Sequence, residues 1–201
     1  MDFNLKKYWQ DRYVSGGNSG AGSYGDEAIF KANFINHWIE ELGINTITEI
    51  GSGDANNLLL YKVNTSYCGY DISEKAVEIS NEKTKRIHNG LKYFFTSKLN
   101  EIDYDAKLCL CLDVFYHQVN DDDFNALFDL IFKKGNWKYV IVYTAEESPL
   151  PEKQLGLHMK YREIQSKVAA LNSWELMHWI SGYSNDKLPS NKRFFLFERN
   201  D

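Results

Sequence analysis

Two glycines and one aspartate carry the most specific chemical signal in the chain. Gly51-Ser52-Gly53 directly follows the apolar run Ile44 to Ile50. Gly51 permits a tight turn and Gly53 lets the backbone come close to a ligand, as in a nucleotide-binding turn between a strand and a helix. Asp71 stands 20 residues after Gly51, at the end of the next apolar run, where a carboxylate can accept both hydroxyls of a ribose. An ordinary tight turn, and a helix-capping role for Asp71 next to Ser73, are the simpler alternatives. A dinucleotide fingerprint would want its next glycine at position 56, which is Asn56, and no Gly-x-x-x-x-Gly-Lys-Ser/Thr occurs. NAD, FAD and triphosphates therefore lose ground.

Other side chains could act on a second substrate. His117 lies just past the apolar run Lys107 to Asp113, and an imidazole there can serve as a general base. Tyr116 offers an aromatic face to a cation, or simply fills core. His158 and Arg162 are four apart on a predicted helix over 157–171, so they would share a face and could grip a carboxylate or phosphate, with Lys160 and Arg12 adding to an anion site. A solvated helix face is the competing account. The three cysteines, Cys68, Cys109 and Cys111, contain no Cys-x-x-Cys, which gives neither a disulfide framework nor a zinc site. No metal-ligand cluster is visible, so a magnesium-dependent reaction is disfavoured.

The elements that must position these groups alternate. Strand-like runs at 44–50, 67–71, 91–95, 107–113 and 137–143 are separated by helical patterns at 55–61, 73–87 and 121–132, which predicts a parallel sheet with right-handed crossovers. Ahead of them, Ile29, Phe34, Ile35, Trp38 and Leu42 recur at helical spacing and Gly43 follows as a stop. Five glycines between Gly16 and Gly25 predict a mobile or ligand-ordered loop. Asp121-Asp122-Asp123 suits a helix N-terminus. Beyond Pro149 and Pro151, the runs 174–179 and 193–198 predict a closing antiparallel pair, with a turn-rich stretch from Ser181 to Ser190 between them.

Glu49-Ile50-Gly51-Ser52-Gly53-Asp54-Ala55 resembles the glycine-rich first motif of the class I S-adenosylmethionine-dependent methyltransferases, with Ala55 where a glycine is common. Gly69-Tyr70-Asp71-Ile72-Ser73 resembles their ribose-binding acidic motif, and Leu110-Cys111-Leu112-Asp113-Val114-Phe115-Tyr116-His117 their fourth-strand motif. The likeness covers about residues 44–143. The flanks, Tyr8-Trp9, Arg12-Tyr13, Gly16-Gly17, Ser19-Gly20, Leu157-His158 and Arg162 among them, resemble a bacterial group associated with polysaccharide or small-metabolite modification. The resemblance implies a Rossmann-like, doubly wound α/β fold with a mostly parallel seven-stranded sheet and an antiparallel closing strand. It implies S-adenosyl-L-methionine as cofactor, bound by Glu49, Gly51, Ser52, Gly53, Asp71, Ile72 and Asp113. Ser97 stands where many relatives hold the adenine amino group with an aspartate. Asp113 could approach the methionine portion or orient His117. The acceptor expected is a hydroxylated or sugar-like small molecule, with Arg12, Tyr116, His158 and Arg162 as candidate binding residues and, for a hydroxyl acceptor, His117 as candidate base. Residues 1–43 would form a lid or cap and residues 44–201 the catalytic domain.

Composition narrows the classes further. At 201 residues with 43% hydrophobic content, the chain has room for one well-packed domain. With 23 Lys plus Arg against 28 Asp plus Glu, the formal charge is −5, which gives no cationic field for nucleic acid. Neither a signal peptide nor an apolar run of membrane-spanning length is present, so a soluble, cytoplasmic protein is expected. Two other readings belong to different classes: a non-catalytic regulatory module that keeps the cofactor pocket, and an NAD-dependent oxidoreductase.

Overall fold

Apolar spacing and end caps place the elements. The computed structural model describes residues 3–63, 66–87, 90–147, 156–184 and 191–200, and the chain folds as two units, residues 6–108 and residues 109–200 with 3–5. In the first unit, helix α1 covers Leu5–Val14 and helix α2 covers Gly25–Glu41. α2 buries Ala28, Ala32, Ile35 and Ile39 along one stripe. It stops at Gly43, whose φ of 56° turns Ile44 N–H back to Ile39 O at 2.9 Å and Gly43 N–H to Glu40 O at 3.2 Å. The sequence reading does not anticipate α1, because Tyr13 is its one buried residue and no apolar stripe marks it.

Strands β1 (Thr46–Ile50), β2 (Ser66–Tyr70) and β3 (Lys92–Thr96) pair in parallel, Thr46 beside Ser66 and Ser66 beside Lys92. Helix α3, Glu74–Thr84, connects the last two and starts on Ser73, whose Oγ accepts from Ala76 N–H. The helix expected over 55–61 shrinks to one 3₁₀ turn at Leu58–Leu60. Ala55 is left-handed at φ 59°, Asn56 N–H turns to Asp54 Oδ1, and Asn56 Nδ2 donates to Ser23 O at 2.7 Å. Short polar side chains here compete successfully with the helical ladder.

The second unit begins within strand β4, Leu108–Leu112. Helix α4 follows at Asp121–Asp129, with Asn120 Oδ1 accepting from Asp122 N–H and Asp123 N–H. A π-helical turn, Leu130–Lys134, leads to strand β5, Tyr139–Ala145, helix α5, Ile164–Ala169, and strands β6, Trp174–Ser181, and β7, Lys192–Arg199. Cys109 and Cys111 form no disulfide and are buried in β4, whose two faces are both covered. β7 runs antiparallel to both β5 and β6. The seven strands lie in the order β3-β2-β1-β4-β5-β7-β6. Among the described residues no helix is long and apolar enough to cross a membrane.

The helix expected over 157–171 forms only from Ile164. Glu146 Oε1 accepts both Ile164 N–H and Gln165 N–H at 2.8 Å and so fixes the start, while Lys160 N–H is drawn away to Tyr116 O at 2.8 Å. His158 and Arg162 therefore share no helical face. Pro149, Pro151 and residues 185–190 of the stretch expected to be turn-rich lie outside the described residues.

Candidate functional site

The glycine turn hangs from the end of β2. Gly51 N–H and Ser52 N–H both donate to Tyr70 O, at 2.7 and 2.9 Å, a geometry that requires Gly51 at φ 79° and Gly53 at φ 58°. The next residue on β2's chain is Asp71. Its Oδ2 accepts Gly53 N–H at 2.9 Å and its Oδ1 accepts Ser73 N–H at 2.8 Å. The carboxyl thus bridges the two motifs that the sequence singles out. Asp71 is only 7% exposed, and burial raises its pKa to about 6 against the pull of the two amides, with Asp54 adding to the rise. Each oxygen keeps acceptor capacity for a hydroxyl donor.

Around this bridge the other candidates take different places. Ser52 is buried, and its Oγ has no hydrogen-bond partner among the described residues. The oxygen is enclosed by protein, and a Cβ at Gly69 would stand 2.8 Å from it. Ile72 is half-buried between Asp71 and Ser73. Ser97 follows the residue whose carbonyl accepts Asp71 N–H, Thr96, at 3.2 Å, which sets it beside Asp71 at the end of β3. Glu49 faces the core instead: it is 2% exposed, accepts Tyr67 OH at 2.6 Å, and has its pKa raised by burial to about 7 with the buried Lys31 opposing the rise. Gly53 leaves room for protein, since a Cβ there would overlap Ser19 Oγ and stand 3.0 Å from Tyr13 OH. Arg12 turns inward to donate from Nε to Asn18 O at 2.6 Å and stacks over Trp9; it holds the glycine-rich loop in this way.

In the second unit, Asp113 follows β4 at φ 60°, a conformation that costs a non-glycine residue energy and that often marks functional sites. Its amide donates to Tyr143 O at 2.8 Å, and its Oδ1 accepts Tyr116 OH at 2.8 Å and faces Lys192 Nζ at 2.8 Å. Lys192 also lies over the rings of Tyr116 and Tyr143. Sequence reading missed Lys192 and Tyr143, since nothing in an antiparallel strand marks a lysine as different from a solvated one.

His117 is oriented by a group other than the expected Asp113. Its Nδ1 lies 2.9 Å from His158 O, and because a carbonyl can only accept, the proton is on Nδ1 and the lone pair on Nε2. The His158 ring stacks on it at 5.4 Å. Burial, His158 and Lys192 lower the His117 pKa to about 4, against the opposite effects of the His158 carbonyl and Asp113.

Arg162, expected to grip an anion, is engaged within the chain. Its side chain is 11% exposed, donates to Gln118 O at 2.9 Å and Val119 O at 3.2 Å, pairs with Asp121, and covers Phe124. Lys160 also pairs with Asp121, at 2.7 Å. These cations staple residues 156–163 to the chain between β4 and α4.

No family model and no curated protein sequence matches the chain. Solved structures do. Magnesium protoporphyrin IX methyltransferase (ChlM) from Synechocystis PCC 6803 with bound SAH gives a TM-score of 0.71 at 16% identity, covering 98% of each chain. N-methyltransferase NodS from Bradyrhizobium japonicum WM9, in complex with S-adenosyl-l-homocysteine, gives 0.70 at 12% identity over 98% of this chain and 99% of its own. The 16S rRNA methylase ArmA gives 0.62 at 14% identity over 100% of both. The chain has the Rossmann-like methyltransferase fold. The expected strand arrangement of the methyltransferase fold is present, with β7 as the antiparallel closing strand. Proteins that share this fold act on a porphyrin in one case and on ribosomal RNA in another, so the fold alone names no substrate.

Proposed function

We propose that the chain is an S-adenosyl-L-methionine-dependent methyltransferase acting on a small, hydroxylated or sugar-like acceptor. The observation that carries this reading is the Asp71 bridge: a buried carboxylate, pinned by Gly53 N–H and Ser73 N–H, beside a buried Ser52 hydroxyl that lacks a partner among the described residues. Hydroxyl donors of a ribose would satisfy the carboxylate. The turn is followed by no α-helix, so it lacks the helix N-terminus that draws a pyrophosphate. That favours a nucleoside without phosphates over NAD.

The cofactor, when bound, supplies an electrophilic methyl group on a sulfonium sulfur. Asp71, Ser52, Gly51, Gly53, Ile72 and Ser97 would hold its nucleoside end. In the second unit, His117 is neutral throughout the physiological range, and we assign it to take the proton of an acceptor hydroxyl. A base this weak takes the proton only as the acceptor oxygen loses its electron density. Tyr116, His158 and the strained Asp113 shape the surroundings. The formal charge of −5 supports a small acceptor over RNA.

Calorimetric titration with S-adenosylhomocysteine and, separately, with NADH tests the cofactor. Stoichiometric binding of the first and none of the second is expected; the reverse overturns the proposal. Transfer of a labelled methyl group to a panel of hydroxylated small molecules then separates an enzyme from a binding module.

A further inference from the structure

Asp54 is 3% exposed and belongs to the glycine-rich motif, yet each of its carboxylate oxygens accepts a hydroxyl of the N-terminal segment. Oδ1 accepts Ser19 Oγ–H at 2.7 Å and Asn56 N–H at 3.3 Å. Oδ2 accepts Tyr24 OH and faces Lys83 Nζ at 3.3 Å. Four donors on two oxygens saturate a carboxylate, so with the segment docked Asp54 has no capacity left for a ligand. These donors, Tyr24 foremost, hold its pKa below the ordinary value although burial pushes the other way.

The contacts also fix a proton direction. Ser19 gives its single proton to Asp54 Oδ1 and accepts Asp54 N–H at 3.0 Å. In the 2.9 Å pair between Tyr13 OH and Ser19 Oγ, the tyrosine is therefore the donor. The Tyr13 oxygen keeps lone pairs on the side of Gly53 and feels the Asp71 charge. Further bonds tie the same segment down, among them Asn56 Nδ2 to Ser23 O at 2.7 Å, and Ser73 Oγ and Lys75 N–H to Gln10 Oε1 at 2.8 and 3.2 Å. The segment from Gln10 to Tyr24 is thus a strap fastened to both cofactor motifs, and its central fastening is Asp54.

We propose that Asp54 is a positioning residue for the cofactor: acting through Ser19, Tyr13 and Tyr24, it clamps the strap over Gly53 beside the Asp71 carboxylate, and this clamp opens to release the cofactor. The proposal rests on the methyltransferase reading.

Two measurements test it, hydrogen exchange of the amides of residues 15–24 and the dissociation rate of S-adenosylhomocysteine, in wild type, Asp54→Asn and Ser19→Ala/Tyr24→Phe. Faster strap exchange together with dissociation faster by about tenfold or more is expected in both variants. Unchanged strap exchange, or faster exchange with dissociation within about twofold of wild type, overturns the clamp. The double variant leaves the carboxylate in place and serves if Asp54→Asn does not fold. Wild type that takes up no S-adenosylhomocysteine overturns the methyltransferase reading itself, an outcome distinct from binding that is equal in wild type and variants.

Discussion

The imidazole of His117 is held by the backbone carbonyl of His158, 41 residues further along the chain, at 2.9 Å. A carbonyl fixes the tautomer without bringing a negative charge, so the ring stays oriented while its pKa falls to about 4. Orientation and basicity, often set together by a carboxylate, are separated here.

His117→Gln is expected to lower turnover by about 10²-fold or more while leaving S-adenosylhomocysteine affinity within about twofold. Single-turnover transfer and calorimetry on the same preparation check both halves. The pH dependence of stability gives a second readout. Folding lowers the His117 pKa from 6.5 to about 4, so the unfolded state binds the extra proton first. Stability from this residue is complete above about pH 6.5 and is lost as pH falls toward 4. Urea unfolding at pH 5 and at pH 7.5 should show wild type losing more stability between the two than His117→Gln.

Asp71→Asn should weaken S-adenosylhomocysteine binding by about 10- to 100-fold, the range for hydrogen bonds to a charged group. Because the free carboxyl has its pKa raised to about 6, wild-type affinity is expected to fall as pH drops through 6 and the acceptor becomes protonated. Titrations at pH 5 and 7.5 check this; equal slopes for wild type and Asp71→Asn would remove Asp71 from the seat.

Gly53→Ala and Gly25→Ala form a matched pair. Both glycines are left-handed, at φ 58° and 61°, so each substitution costs about 1–2 kcal/mol in backbone strain. Only at Gly53 does the new methyl overlap Ser19, whereas Gly25 has open space. Gly53→Ala should therefore lose more stability, by chemical denaturation, and be the one that frees the strap amides in hydrogen exchange.

Arg162→Met should destabilise the fold by about 1–3 kcal/mol, since it leaves the carbonyls of Gln118 and Val119 without their charged donor. Thermal unfolding reads this directly. A raised KM for an anionic acceptor at unchanged melting temperature would restore the anion-binding role.

How much of this was legible follows from the range of the interactions. The Gly51 turn, Asp71, Ser73 and the stop at Gly43 are local: their geometry is set by neighbours a few residues away, and residue type and spacing reveal them. The failed helices have the opposite cause. Ala55 to Asn57 and His158 to Arg162 read as helical by pattern, but Ser23, Tyr116, Gln118 and Asp121 draw their bonds elsewhere. Asp54 is legible as a member of the glycine motif, and its attachment to Ser19 and Tyr24 is not, because contacts spanning 30 and 35 residues leave no periodic trace. Lys192 was invisible for the same reason.

The missing helix after the glycine turn has an outcome for turnover. A helix N-terminus would place about half a positive charge at the turn and so discourage a cationic ligand more than a neutral one. Without it, the buried Asp71 carboxylate beside the turn is left unopposed, so a cationic ligand is favoured there over a neutral one. Under the methyltransferase reading, that difference helps a charged cofactor replace its neutral, demethylated product.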